Sequence, residues 1–352
     1  MGIALTLGAV SAKLLRNQFQ VPLPKTAIAV TTTATLGFLS SSGFSYADSK
    51  RWNLGVTALV FFAGLWLINE ERKMTVWIAL HIVMAVAFAL TATQDAAGRL
   101  GLNTITTGRL FGISVIVFAA YALFSSGKPF HRAVATLSAF LFVGTLIATG
   151  SRGPFISAAI VVIVLGLTQL QGMRVVRAAG TALLVALGYQ LLLSADDAGA
   201  ARIIGTLDGS INGTESRTPR WTAALENIPA HPFGIGWGNF REIVDVGITD
   251  RQYAHNLLLE SWVEAGWLFG LAVMVACLVA LRTYSRHRFD TPGLLTFGVF
   301  AFLLLNAMVS GDVNDNRPLI AMLGAGLAFV PGSTSRKLDH GGETSTAPIQ
   351  RR

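Results

Sequence analysis

Between Arg217 and Gly270 the chain gathers most of the groups able to do chemistry. The stretch holds Arg217-Thr218-Pro219-Arg220-Trp221, then His231-Pro232-Phe233-Gly234-Ile235-Gly236-Trp237-Gly238, then Tyr253-Ala254-His255-Asn256, and an apolar helix carrying Glu260, Glu264 and Gly266. The basic residues of the loop 195–254 are Arg202, Arg217, Arg220, Arg241 and Arg251, with no lysine. A guanidinium forks onto phosphate or carboxylate oxygens, whereas lysine acts as a point charge, so this set suits shaped anion recognition. Eight acidic residues share the loop, and surface ion pairing is the competing reading for any one arginine. Arg152 stands apart, in the short turn Ser151-Arg152-Gly153-Pro154 between two apolar runs. A charge so close to hydrocarbon marks function, or else snorkels to lipid phosphate.

His255 precedes Asn256 at the start of the apolar helix. Asn256 is placed to cap that helix, and the positive helix end favours a neutral imidazole, the form that accepts a proton. Asn256, Glu260 and Glu264 share one helix face at spacings of four. Carboxylates inside such a helix are functional, or hydrogen-bond neighbouring helices. Gly266 and Gly270 form a small-xxx-small pair expected to pack against another helix. The glycine-rich run 232–238 lacks the strand–turn–helix context of a dinucleotide fingerprint, and reads instead as a tight loop whose N–H groups can approach an anion. His231 reads as structural. Scattered histidines and a single cysteine, Cys277, exclude a zinc pattern and an intrachain disulfide. Asp312 and Asp315 are a weak acidic pair, so neither metal nor cofactor is expected.

The elements that must position these residues are membrane helices. With 352 residues, 52% hydrophobic and 13% charged, and a mean hydropathy of +0.56, the chain reads as an all-α, polytopic helical bundle with one long extracytoplasmic loop. Spans of about 17–25 apolar residues are expected at 3–15, 26–39, 54–68, 74–93, 110–124, 133–149, 155–170, 176–193, 256–282, 292–308 and 318–330. Of 27 lysines and arginines, sixteen then fall on one side, six in short segments on the other and five in the long loop. The richer side is cytoplasmic by the positive-inside rule, which also explains the net charge of +8 without nucleic acid. The loop 195–254, the turn 151–154 and the short loop 310–317 thus share the extracytoplasmic face. The organisation expected is N-terminal helices in 1–132, helices with the Arg152 turn in 133–194, the loop 195–254, C-terminal helices in 255–331 and a disordered cytoplasmic tail in 332–352.

In their order and spacing these pieces resemble the O-antigen ligase and polymerase superfamily, the Wzy-type bacterial integral-membrane glycosyltransferases. The resemblance rests on Thr149-Gly150-Ser151-Arg152-Gly153, Ser216-Arg217 ahead of Trp221, His231-Pro232 before Gly234-Ile235-Gly236, and His255-Asn256 ahead of Gly266. It covers about Ala133 to Pro331. It implies a fold of the GT-C type with about 10–12 spans in a bacterial inner membrane, and metal-independent transfer of a glycan from polyprenyl diphosphate, of the undecaprenyl kind, to an acceptor hydroxyl. By motif match Arg152 and Arg217 bind the diphosphate and His255 activates the acceptor. Arg220 joins the diphosphate set, and Asn256, Glu260, Asp312 and Arg317 are acceptor-binding or orienting candidates. The acceptor can be a lipid core, a protein or a wall polymer, or a second lipid-linked unit, which makes the enzyme a polymerase. A transporter of lipid-linked sugar is the competing class. Against it, no pair of broken helices at the midplane of two repeated halves is visible, and the polar groups gather on one face.

Overall fold

The computed structural model describes residues 45–91, 104–168, 174–195, 198–207, 217–244, 253–288 and 291–329. Among them are eleven α-helices: α1 (Ser45–Leu67), α2 (Glu71–Thr91), α3 (Thr104–Phe124), α4 (Pro129–Ala148), α5 (Arg152–Thr168), α6 (Arg174–Ser194), α7 (Ala198–Leu207), α8 (Thr218–Asn227), α9 (Leu257–Arg286), α10 (Thr291–Ala307) and α11 (Arg317–Leu327). No β-sheet forms among the described residues. Nine of the eleven expected spans coincide with helices, while 3–15 and 26–39, like the tail 332–352, lie outside the described residues. Among the described residues, four helices are long and apolar enough to cross a membrane, or five if the bent pair α6–α7 counts as one. The chain is therefore a multi-pass helical membrane bundle. Its long loop is less irregular than its composition suggested, because α7, α8 and a 3-10 turn at Phe240–Glu242 lie within it.

The central helix is α3, mostly apolar and buried along most of its length, with Arg109 among its buried residues. It packs on α2, α4, α5 and α10. Phe118 stacks on Phe142 of α4 with ring centroids 5.7 Å apart. Helices α1 and α11 meet more closely still: a β-carbon at Gly64 would lie 1.9 Å from the Ala321 carbonyl oxygen, and one at Gly324 would lie 2.1 Å from that of Phe61. The Tyr284 hydroxyl of α9 donates to the Met322 carbonyl at 2.7 Å, tying α9 to α11.

The helix that follows His255 is not continuous. Gly266 has φ 87° and ψ 178° inside α9, a conformation that breaks the helix and that side chains other than hydrogen rarely adopt. A break frees carbonyls that must find donors in a membrane protein. Here the glycine-rich loop supplies them: Ile235 N donates to Val263 O and Gly236 N to Glu264 O, both at 2.9 Å, and Trp267 N donates back to Pro232 O at 3.0 Å. The fit leaves no room for β-carbons. One at Gly234 would sit 2.3 Å from Glu264 O, and one at Gly266 would sit 2.6 Å from the Phe233 carbonyl carbon. The small-xxx-small reading is thereby corrected: Gly266 serves the loop, and Gly270 faces the Trp262 indole. Gly266→Ala is expected to lower stability by about 1–3 kcal/mol, read as the unfolding midpoint in detergent; an unchanged midpoint would mean the break is not needed.

The break also divides α9 by environment. Before it, Leu257, Glu260, Ser261, Val263, Glu264 and Ala265 are buried in protein, and after it Trp267, Leu268, Leu271 and Leu278 are exposed. Residues 267–286 rise about 30 Å, enough to cross the hydrocarbon without the first segment. Trp267 at that point suits a membrane interface. Glu260 and Glu264 are thus enclosed by protein and need no lipid-facing explanation.

Candidate functional site

The expected residues converge because short-range features aim them at one end of the bundle. The turn before Arg152 is tied by the Thr149 hydroxyl, which donates to Leu146 O at 2.7 Å and accepts from Ser151 N at 3.2 Å. Gly153 then lets α5 seat on α10, since a β-carbon there would be 3.2 Å from both Asn306 Nδ2 and Ser310 Cβ. Arg152 follows this turn as the first residue of α5 and is half-buried. Arg217 is the N-cap residue of α8, with Pro219 in the first turn, and Arg220 is buried on the same helix. Burial, then the neighbouring charges of Arg152 and Arg220, lowers the Arg217 guanidinium from its ordinary value. Arg152 and Arg220 therefore each lie within electrostatic reach of Arg217, an arrangement that suits a multiply charged anion.

His255 is held in a conformation unusual for a residue with a side chain. Its φ is +57°, the one positive value outside glycine among the described residues, and such strain persists only where surroundings enforce it. Two fixings do so. The Trp221 indole N–H of α8 donates to Ala254 O at 2.9 Å, and Asn256 caps α9, its Oδ1 accepting from Leu258 N at 3.0 Å and Leu259 N at 3.1 Å. Asn256 thus caps the helix, as its type suggested. Trp221, by contrast, carried no expected role, although it stands in the arginine motif. The His255 ring is buried against Tyr253, with centroids 4.4 Å apart.

Tyr253 joins the two halves of the site. It lies within electrostatic reach of both Arg217 and Arg109, and it also lines a polar cleft of about 230 Å³. One wall of this cleft comes from Ser49, Lys50 and Asn53 of α1; the other comes from Asp312, Asn314 and Asp315, with Arg317. The wall segment 310–316 is fixed from beneath by Arg109, 3% exposed. Its Nε donates to Asn306 Oδ1 at 2.6 Å, a second nitrogen to Ser310 O at 2.8 Å, and the third to Asp315 O. Asp312 Oδ1 accepts from Asp315 N at 2.7 Å in a local turn. Arg317 donates to Asn53 Oδ1 at 2.7 Å, and the Thr57 hydroxyl donates to Asn314 Oδ1 at 2.8 Å. Burial, then Asp312, raises the Asp315 carboxyl above its ordinary value.

Glu260 does not face the cleft as a free carboxylate. Lys50 reaches Glu260 Oε1 at 2.6 Å and Glu264 Oε2 at 2.7 Å, with all three side chains fully enclosed. Val313 N donates to Glu260 Oε1 at 3.3 Å, and Gly238 N to Glu264 Oε2 at 2.9 Å. These two carboxylates thus hold α1, the glycine-rich loop and the 310–316 segment together. His231 is structural as expected, its Nδ1 2.9 Å from Asn227 O. Cys277 is a buried free thiol. Among the described residues, no three His, Cys, Asp or Glu side chains are grouped as metal ligands.

Comparison with known proteins adds one finding. Residues 137–274 match the family described as O-antigen ligase. The matched segment runs from α4 through the break in α9, and so contains Arg152, Arg217, Arg220 and His255; Lys50, Arg109 and the 310–317 segment lie outside it. No curated protein matches the chain.

Proposed function

Taking as premise the O-antigen ligase domain over residues 137–274, we propose that the chain transfers a glycan from a polyprenyl-diphosphate carrier to an acceptor hydroxyl at the extracytoplasmic membrane face. The observation that carries this reading is that Tyr253, whose ring packs on the strained, buried His255, also lies within electrostatic reach of Arg217, which Arg152 and Arg220 adjoin in charge. A sugar diphosphate already contains a good leaving group, so the transfer needs charge stabilisation at the departing phosphates and a base for the attacking hydroxyl. His255 takes the acceptor proton as the acceptor oxygen bonds to the anomeric carbon. The carbon–oxygen bond to the carrier breaks on the opposite side, its electron pair leaves with the diphosphate, and the configuration inverts. The three guanidiniums hold that diphosphate, a role metal ions fill in other transferases, so the transfer is metal-independent in this reading. Asp312 and Arg317 border the cleft on the acceptor side. Glu260 and Asn256 act by positioning the wall and His255.

Purified protein in lipid, given a polyprenyl-diphosphate-linked glycan and candidate acceptors, tests the proposal through release of free polyprenyl diphosphate. Arg217→Ala is expected to lower turnover by about 10²–10³-fold, with Arg217→Lys recovering only part because it lacks the fork. Growth of the lipid-linked glycan itself would make the enzyme a polymerase; transfer to another acceptor would make it a ligase. The break in α9 is a feature that favours transport, where broken helices line substrate sites. Here loop donors fill it. Movement of lipid-linked glycan across the bilayer without any transfer would nevertheless establish the transport reading.

A further inference from the structure

Trp221 stands between the arginine group and His255 without belonging to either. We infer that it is a positioning residue for His255: its indole N–H holds the peptide joining Ala254 to His255, and so ties the bearing of the base to α8, the helix that carries Arg217 and Arg220. The inference rests on the glycan-transfer reading for the use of His255, and on geometry alone for the tie.

A peptide unit is planar, so the Ala254 oxygen and the His255 nitrogen turn together. Holding that oxygen therefore fixes one side of the His255 φ angle, and the Asn256 cap fixes the other through the first turn of α9. Between the two, His255 is left at φ +57°, where a residue with a side chain is strained. Once the peptide before it is held, φ sets where the Cα–Cβ bond points. Without the indole bond the position is free to relax to a negative φ, and the imidazole loses its fixed bearing on α8.

The tie is useful only if α8 is itself fixed, and it is. Ala224 of α8 is fully buried in a small core with Ala254 and Val263. At the far end of the helix, Ile228 O accepts from the Trp267 indole N–H of α9 at 2.7 Å. One indole at each end thus straps α8 along the first segment of α9. Trp221 N donates to Arg217 O at 2.8 Å, which places Trp221 one helical turn from Arg217, with Arg220 next to it in the chain. The groups proposed to hold the diphosphate and the group proposed to take the proton therefore share one frame, as a pre-organised site requires.

Two variants of the full chain in lipid nanodiscs provide the test. Trp221→Phe removes the indole donor and keeps a ring, whereas Trp267→Phe removes the corresponding donor at the far end of α8 and leaves the Ala254–His255 peptide alone. With histidine labelled in its backbone carbons, the NMR shifts of His255 report its φ. The native chain and Trp267→Phe are expected to share one His255 signal in the left-handed range, and Trp221→Phe to move or split it. In glycan transfer, Trp221→Phe should lower kcat about fivefold or more while the donor KM stays within about twofold, because Arg217 and Arg220 remain. Trp267→Phe should change neither by more than about twofold. An unmoved His255 signal in Trp221→Phe, the same displacement in both variants, or a raised donor KM with kcat kept overturns the assignment. So does rapid exchange of the Trp221 indole proton with deuterated water in the native chain, a measurement that needs no variant to fold. A protein whose His255 signal responds to Trp221→Phe alone, yet which transfers nothing, would count against the transfer reading and leave the tie standing.

Discussion

Replacing His255 by alanine is expected to lower glycan transfer by about 10²–10⁴-fold, the range for loss of a positioned general base. The expectation depends on the imidazole acting in proton transfer, not on its backbone shape. Position 255 has φ +57°, a conformation asparagine tolerates better than alanine, so His255→Asn separates the two causes. If the base matters, both variants lose transfer to a similar extent while only alanine adds strain to the fold. If the backbone turn alone matters, His255→Asn retains most of the activity, and the base must be sought elsewhere. Release of polyprenyl diphosphate reports the first quantity and the unfolding midpoint the second.

The groups proposed for chemistry were readable because their signals are local. Arg152 stands in a turn between apolar runs, His255 and Asn256 stand at a helix start, and Arg217 stands two residues before a proline that opens α8; each can be recognised from its immediate neighbours. What holds them is not local. Lys50 meets Glu264 across 214 positions, and Arg109 meets Asn306 across 197. In sequence both look like ordinary charges at the extracytoplasmic ends of spans, and a count of charges by side treats them so. Gly266 was misread for a related reason. Its spacing to Gly270 fits a helix seam, but the positive φ follows from a loop some thirty residues earlier inserting its N–H groups into α9. Helices α7 and α8 were hidden by composition, since short amphipathic helices at a membrane surface carry the arginines and acids of a loop. The carboxylates of α9 were correctly placed on one face, yet the periodicity that aligned them could not name Lys50 as the shared partner.

That partner carries the second large expectation. Lys50→Met leaves Glu260 and Glu264 fully buried with their shared cation gone, and breaking a buried ion pair in this way costs about 3–5 kcal/mol. The loss should appear as a large fall in unfolding midpoint, and because α1, the glycine-rich loop and the 310–316 segment all meet at these carboxylates, transfer should fall with it. The informative comparison is the triple variant Lys50→Met, Glu260→Gln, Glu264→Gln. Neutral amides retain oxygens to accept from Val313 N and Gly238 N, and removing all three charges together removes the desolvation cost that the pair had to offset. Most of the stability should return. Transfer then decides what Glu260 is for: a triple variant that folds and transfers assigns the carboxylates to architecture, whereas one that folds and does not transfer requires a charge at Glu260 or Lys50 during the reaction. A single Lys50→Met that melts like the native chain would show instead that the carboxylates accept protons and need no cation, and the network would lose its place as the joint between α1 and the site.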